Sequence, residues 1–180
     1  MLRITTTSRE LFNDATQEFI LIPSAKLVLE HSLISVWKWE SKWKKSFLNS
    51  PNLSGEEMID YVRCMTIGEE ANELVYRYLS SENLKKIQEY INEPMTATTF
   101  SNKESHTHKK EIITAELIYY WMIEAGIPFE CEKWHLNKLL TLIRVCNVKG
   151  SSGKKMSRRD IFKQNSELNA ARRRALGSKG

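Results

Sequence analysis

The apolar positions change period along the chain. Over residues 1–30 they gather in short β-rich runs: Leu2 to Thr7, then Phe19 to Ile22 and Lys26 to Glu30 on either side of Pro23-Ser24-Ala25. Such runs around a turn-forming tripeptide predict a hairpin with its turn at 23–25. From there the period is helical. His31 to Phe47 carries Leu33, Val36, Trp37 and Trp43, with Leu48 just beyond, and Pro51 closes the segment. Ser54 with Glu57 three positions on is a capping box, in which each side chain satisfies the other's backbone N–H, and it predicts a helix from there to about Met65. Glu69 to Leu79 is a third helix. A fourth, capped by Ser81 or Asn83, runs to Asn92 before Pro94. Residues 95–110 are polar and aperiodic, which predicts a loop.

Two segments beyond that loop are the most apolar of the chain. Glu111 to Ala125 is apolar nearly all round, with Gly126 placed as a helix stop and Pro128 as a break. Glu130 to Asn147 confines its polar residues to one stripe, Lys133, Asn137, Thr141 and Arg144, and fills the rest with Leu, Ile, Val and Cys. A helix with so little polar surface is predicted to be buried by several neighbours or by another subunit. Each fully buried apolar side chain is worth about 1.5–3 kcal/mol, so this helix is expected to anchor the fold.

Charge separates the last 32 residues from the rest. Ten basic residues between Lys149 and Gly180 face only Asp160 and Glu167, which leaves the segment at +8; the formal total of +5 then leaves residues 1–148 at about −3. Lys149 to Lys155 has the composition of a flexible hinge. Ser157 with Asp160 opens a basic helix to Leu176 whose apolar stripe is thin: Ile161, Phe162, Leu168, Ala171 and Ala175. So narrow a seam is marginal alone and is expected to order on a partner. The reading is thus a mainly α chain with two parts. Residues 1–148 form a body, with a small N-terminal β-hairpin region (1–30) followed by a compact helical bundle. Residues 149–180 form a hinge and a basic C-terminal helical tail.

Candidate chemistry adds little to this picture. The N-terminus lacks the apolar core of a signal peptide, and the longest apolar run, Leu117 to Ile123, is far short of the ~20 residues a membrane span needs. Cys64, Cys131 and Cys146, odd in number and widely spaced, read as reduced intracellular thiols. His106 and His108 have no further ligands at metal-binding spacing. Cys131 and His135, an i, i+4 pair, lack the third group that orients a catalytic dyad. Phosphate-loop, dinucleotide and nucleophile-elbow motifs are missing. No catalytic residue, metal or cofactor is therefore predicted. Lys38 to Lys45 interleaves Trp39 and Trp43 with lysines, a pattern that suits either stacking on single-stranded nucleic acid or an amphipathic helix whose two Trp pack inward; the second reading is preferred.

Several stretches resemble the tail assembly chaperones of long-tailed bacteriophages. They are residues 29–35 (LEHSLIS), 38–43 (KWESKW), 94–100 (PMTATTF), 119–123 (YYWMI) and, most densely, 134–144 (WHLNKLLTLIR), with 154–157 (KKMS) and 168–173 (LNAARR) in the basic tail. The resemblance implies a non-enzymatic protein of the host cell cytoplasm that is absent from the mature virion. It implies binding to the tape measure protein, help in recruiting tail tube protein, and self-association in multiple copies. Residues implied in partner contact are Arg158, Arg159, Arg172, Arg173 and Arg174, with Trp39, Trp43, Trp134 and His135. The basic tail also supports an alternative, a nucleic-acid-binding phage protein such as a packaging or transcription factor, against which the net negative body argues.

Overall fold

The computed structural model describes residues 1–15, 17–100 and 111–151, together with Phe162 and Ser166. Its described residues hold four short strands and six α-helices. The strands are β1 (Leu2–Thr5), β2 (Arg9–Asn13), β3 (Glu18–Ile22) and β4 (Lys26–Leu29). β1 pairs with β4 and β2 with β3, both antiparallel. The predicted turn at Pro23-Ser24-Ala25 is therefore corrected: the strands on either side of it do not pair with each other, and the chain reverses between Asn13 and Glu18 instead. There Asn13 Oδ1 accepts from the Ala15 N–H at 3.0 Å and Gln17 takes a left-handed φ of 55°.

The two ladders share one register. The residue numbers of every pair, from Leu2↔Leu29 out to Asn13↔Glu18, add to the same total. Strands β1 to β4 are thus one long ribbon with a gap where Pro23, which has no N–H to give, falls opposite Ser8. Thr6 and Ala25 bridge the gap: the Thr6 N–H donates to Ala25 O and the Ala25 N–H to Thr6 Oγ1, each at 2.9 Å. The inner half is anchored through buried Ile4, Leu27 and Leu29, and residues 65–67 lie along it, with the Glu30 N–H donating to Met65 O and the Ile67 N–H to Val28 O.

The first helix, α1 (Leu33–Trp43), is capped by Ser32 and ends at Lys44 in the left-handed region. It stops short of the predicted Phe47, which leaves the helix to stack on Tyr61 with ring centroids 3.9 Å apart. Helix α2 (Gly55–Met65) begins at the predicted capping box, with both reciprocal bonds made. Helix α3 (Glu73–Arg77) is half its predicted length because Gly68 at φ 89° and the Ala71 N–H, bonded to the Tyr76 hydroxyl, hold the preceding residues out of it. Helix α4 (Ser81–Asn92) is capped one residue earlier than expected, by Ser80. Helix α5 (Ala115–Glu124) starts at Thr114 and is followed by Gly126 at φ 64°, which serves as the predicted stop.

The predicted helix 130–147 divides. Phe129–Lys133 is a 3-10 turn, Trp134 is extended, and α6 runs Leu136–Ser151, past Lys149 and Gly150. The break has a cause: His135 forms a β-bridge with Ser32, and the Leu136 N–H donates to His31 O at 2.7 Å. Nor is α6 buried all round. Leu136, Leu139 and Ile143 form one buried line, while Leu140, Leu142, Val145 and Cys146 are half-exposed. Its polar stripe grips neighbours: Asn137 Nδ2 donates to Ile91 O and Glu93 O at the end of α4, and the Arg144 guanidinium lies 4.1 Å from the Phe100 ring centre.

The core is built on α1, whose Leu33, Val36 and Trp39 meet Tyr61 and Val62 of α2, Ile118 and Met122 of α5, and Leu136 and Leu139 of α6, all fully buried. The chain separates into two compact units, Met1–Arg144 and Val145–Gly180. In the second unit the described residues are the end of α6 and the helical positions Phe162 and Ser166. Most of the predicted hinge and basic helix lies outside the described residues.

Candidate functional site

Among the residues implied in partner contact, two are interior. Trp39 is wholly buried and its Nε1–H donates to Glu57 O at 2.9 Å, tying α1 to α2. His135 is buried between α4 and α6. Both are enclosed within the single chain. Trp43 is half-buried, stacked on Trp39 at 6.1 Å, and donates through Nε1 to Asp60 Oδ2 at 2.8 Å, so the inward packing expected for this pair is what the fold uses. Trp134 keeps an open edge and carries the Lys138 ammonium 4.2 Å from its ring centre. Arg158, Arg159 and Arg172 to Arg174, like His106 and His108, lie outside the described residues.

His135 instead belongs to a buried polar knot that the sequence did not reveal. Its Nε2–H donates to Tyr90 O at 2.9 Å and its Nδ1 accepts from the Asn137 N–H at 3.3 Å, so the neutral ring carries its proton on Nε2. The His31 ring stands edge-on to it at 5.1 Å and shares a short hydrogen bond with the Tyr61 hydroxyl. Burial, with His135 adding to it, pushes the pKa of His31 down to about 3. Beside them the Tyr90 hydroxyl donates to Glu30 Oε1 at 2.7 Å, and burial followed by that carboxylate drives the phenol's pKa upward. A second staple is Glu40, whose two oxygens accept from the Phe47 and Ala115 N–H groups at 2.8 and 2.7 Å, clamping the start of α5 to α1. Burial raises its pKa, and the two backbone donors work against that rise.

These groups tie α1 and its neighbouring segments together through hydrogen bonds. Cys131 lies in the 3-10 turn and His135 ahead of α6, so the i, i+4 pair does not share one helix. Among the described residues no group of three or more His, Cys, Asp or Glu is gathered as a metal site. Cys64 lines a cleft of about 370 Å³ with Ile34, Lys38, Met65, Ile67 and Lys133, and burial raises its thiol to about 11. At neutral pH that thiol is protonated, the form that is neither nucleophile nor metal ligand.

The exposed apolar surface is more informative. The outer half of the β-ribbon presents Phe12 and Phe19, directly opposite one another with ring centroids 5.1 Å apart, and Phe19 and Leu21 are 72% and 60% exposed. Sequence reasoning missed this pair because Arg9–Asn13 was not read as a strand; the signal was available in two aromatics spaced evenly about Asn13-Asp14 and Gln17-Glu18. A second surface is the outer side of α5 and the turn after it: Tyr120, Ile123 and Phe129 each leave half or more of their area in solvent. Trp37, read as part of the inward pattern of α1, is also exposed. A contiguous exposed apolar patch is a candidate contact surface, whereas apolar residues exposed singly are ordinary. No helix among the described residues is long and apolar enough to cross a membrane. No protein-family model, curated protein or solved structure matches the chain.

Proposed function

We propose that this chain is a tail assembly chaperone of a long-tailed bacteriophage, which holds the tape measure protein in solution and helps recruit tail tube subunits during tail morphogenesis. The observation that carries the reading is the outer β-ribbon, a narrow projection whose Phe12–Phe19 pair and Leu21 are open to solvent. It suits a long apolar helix as partner, because aromatic side chains supply large contact area at low ordering cost. The dispersed sequence resemblance in residues 29–43, 94–100, 119–123 and 134–144 supports the same reading. Many copies bound along one tape measure protein need only modest individual affinity, since linked binding events reinforce one another. In this reading the protein acts in the host cytoplasm, is left out of the finished virion, and performs no catalysis.

Co-expression with the tape measure protein of the same phage tests it. The expected result is a soluble complex holding several copies of this chain, depleted when Phe12→Ser and Phe19→Ser are combined. An insoluble tape measure protein, whether or not this chain is present, sinks the reading.

The +8 C-terminal segment favours a second reading, nucleic-acid binding in packaging or transcription. Under the chaperone reading, DNA or RNA binding is of non-specific grade, with Kd no tighter than ~10⁻⁶ M at physiological salt and falling steeply as salt rises. Nanomolar, sequence-selective binding reverses the preference.

A further inference from the structure

The region from Glu111 to Glu132 combines two properties. It contains five glutamates (Glu111, Glu116, Glu124, Glu130, Glu132) and no lysine or arginine. It also exposes Ile112, Tyr120, Ile123 and Phe129 at 66%, 52%, 63% and 54%. On α5, Glu116, Tyr120 and Glu124 follow at intervals of four, so they form one ridge with Ile123 beside it. Phe129 and exposed Glu130 continue the surface into the 3-10 turn. The inner face of the same helix (Ala115, Ile118, Met122) is fully committed to the core, so the outer face is held rigidly in place.

The C-terminal segment has the opposite character. Residues 152–180 hold nine lysines and arginines against two acids. As a helix, Ser157 to Leu176 would line Ile161, Phe162 and Leu168 along one thin stripe, with Arg158-Arg159 at one end and Arg172-Arg173-Arg174 at the other. Acids flanking an apolar centre and bases flanking an apolar stripe are complementary in both respects, and arginine adds favourable contact with Tyr and Phe rings.

We infer that the acidic, apolar outer face of α5 and its following turn receives the basic C-terminal segment of a second copy of this chain. The occupant is a second copy: the outer α5 face and the basic segment are complementary in charge and in apolar character, and a concentration-dependent contact is what the test below reads. Such a contact is heterologous, joining one patch to a different patch, so every bound copy still offers a free face at one end and a free basic segment at the other. Copies therefore add in a row, or close a ring where the angle allows. The contact needs no tape measure protein, so its test can fail or succeed separately from that of the function proposed above.

Sedimentation of the purified full chain over a range of concentrations and at two salt concentrations tests it. The wild type is expected to self-associate at low salt and to dissociate as salt screens the contact. Reversing the face (E116K with E124K and E130K) and, separately, reversing the segment (R158E with R159E, R172E and R173E) should each weaken self-association by about tenfold or more. Mixing the two variants should restore it, because each supplies the surface complementary to the other. A neutral variant, Tyr120→Ser with Ile123→Ser, should weaken it while leaving the charge and the circular dichroism spectrum unchanged. A wild type that stays monomeric, association untouched by either reversal, or a mixture that fails to associate each overturns the proposal.

Discussion

His31 packs against Phe47, Tyr61 and His135 with almost no surface in solvent, and its pKa of about 3 lies well below the ordinary 6.5. Below pH 6.5 the unfolded chain takes up a proton at this ring that the folded chain refuses. Stability is therefore intact above about pH 6.5 and falls as pH drops towards 3, by about 1.4 kcal/mol per pH unit for one such proton. Urea unfolding between pH 7 and pH 4 should show this slope, and His31→Phe should flatten it. An unchanged slope in His31→Phe would assign the acid sensitivity to other groups. Glu40 is a comparable single-residue dependency. Glu40→Ala leaves the buried Ala115 N–H and the Phe47 N–H without acceptors, at about 1–3 kcal/mol each, and thermal unfolding should report a loss in that range. Nothing in the sequence marked either residue: both draw their roles from partners far away in the chain, and local patterns carry no record of such partners.

Elements were legible where their signals are local. The capping box of α2 and the stop at Gly126 depend on residues within one turn, and both are in the fold where the sequence put them. The ends that differ were moved by distant contacts: Ser32 bridging His135 splits the last predicted helix, and the Tyr76 hydroxyl holds Ala71 out of α3. The hairpin turn was misplaced because Pro23-Ser24-Ala25 has turn composition, whereas the ribbon uses it as an interruption. That ribbon makes an element-level prediction. Because both ladders keep one register, removing residues 7–24 and joining Thr6 to Ala25 through Asn-Gly should yield a shorter hairpin on an unchanged core. Its melting temperature should stay within several degrees of the wild type, while the tape measure binding proposed above should fall. A collapse of the cooperative transition would show that the outer ribbon supports the core. In α6, Leu139→Asp places an unpaired carboxylate at a fully buried site, a penalty of several kcal/mol against a total stability of about 5–15. Loss of soluble, cooperatively unfolding protein is the expected outcome.

For the molecule as a whole, the mainly α body with a small N-terminal β region was readable from the change of period near residue 30. The surface was less readable. Periodicity identifies which residues are apolar and leaves open which of them another chain will cover: α6, expected to be buried by neighbours or by another subunit, keeps an open side within the single chain. The same ambiguity placed Trp39 among the contact residues when it is interior, and passed over Trp37, which is exposed. Truncation after Ser151 tests the division of labour between the two ends of the sequence. Among the described residues the buried apolar core lies at or before Ile143, so the shortened chain should unfold cooperatively near the wild-type temperature. Loss of that transition would show that the C-terminal segment helps to hold the core.

The His31–Leu136 hydrogen bond and the Ser32–His135 bridge also set a schedule. They join the start of the first helix to the start of the last, so the ribosome must add roughly a hundred residues after His31 before its partner strand exists, some 5–20 s at ordinary translation rates. During that interval Leu33, Val36 and Trp39 have no α6 to close over them. A nascent chain arrested before residue 135 should be cut readily by protease within α1, and one arrested well beyond residue 151 should resist. Until then the apolar face of α1 lacks the cover that α6 gives it in the folded chain.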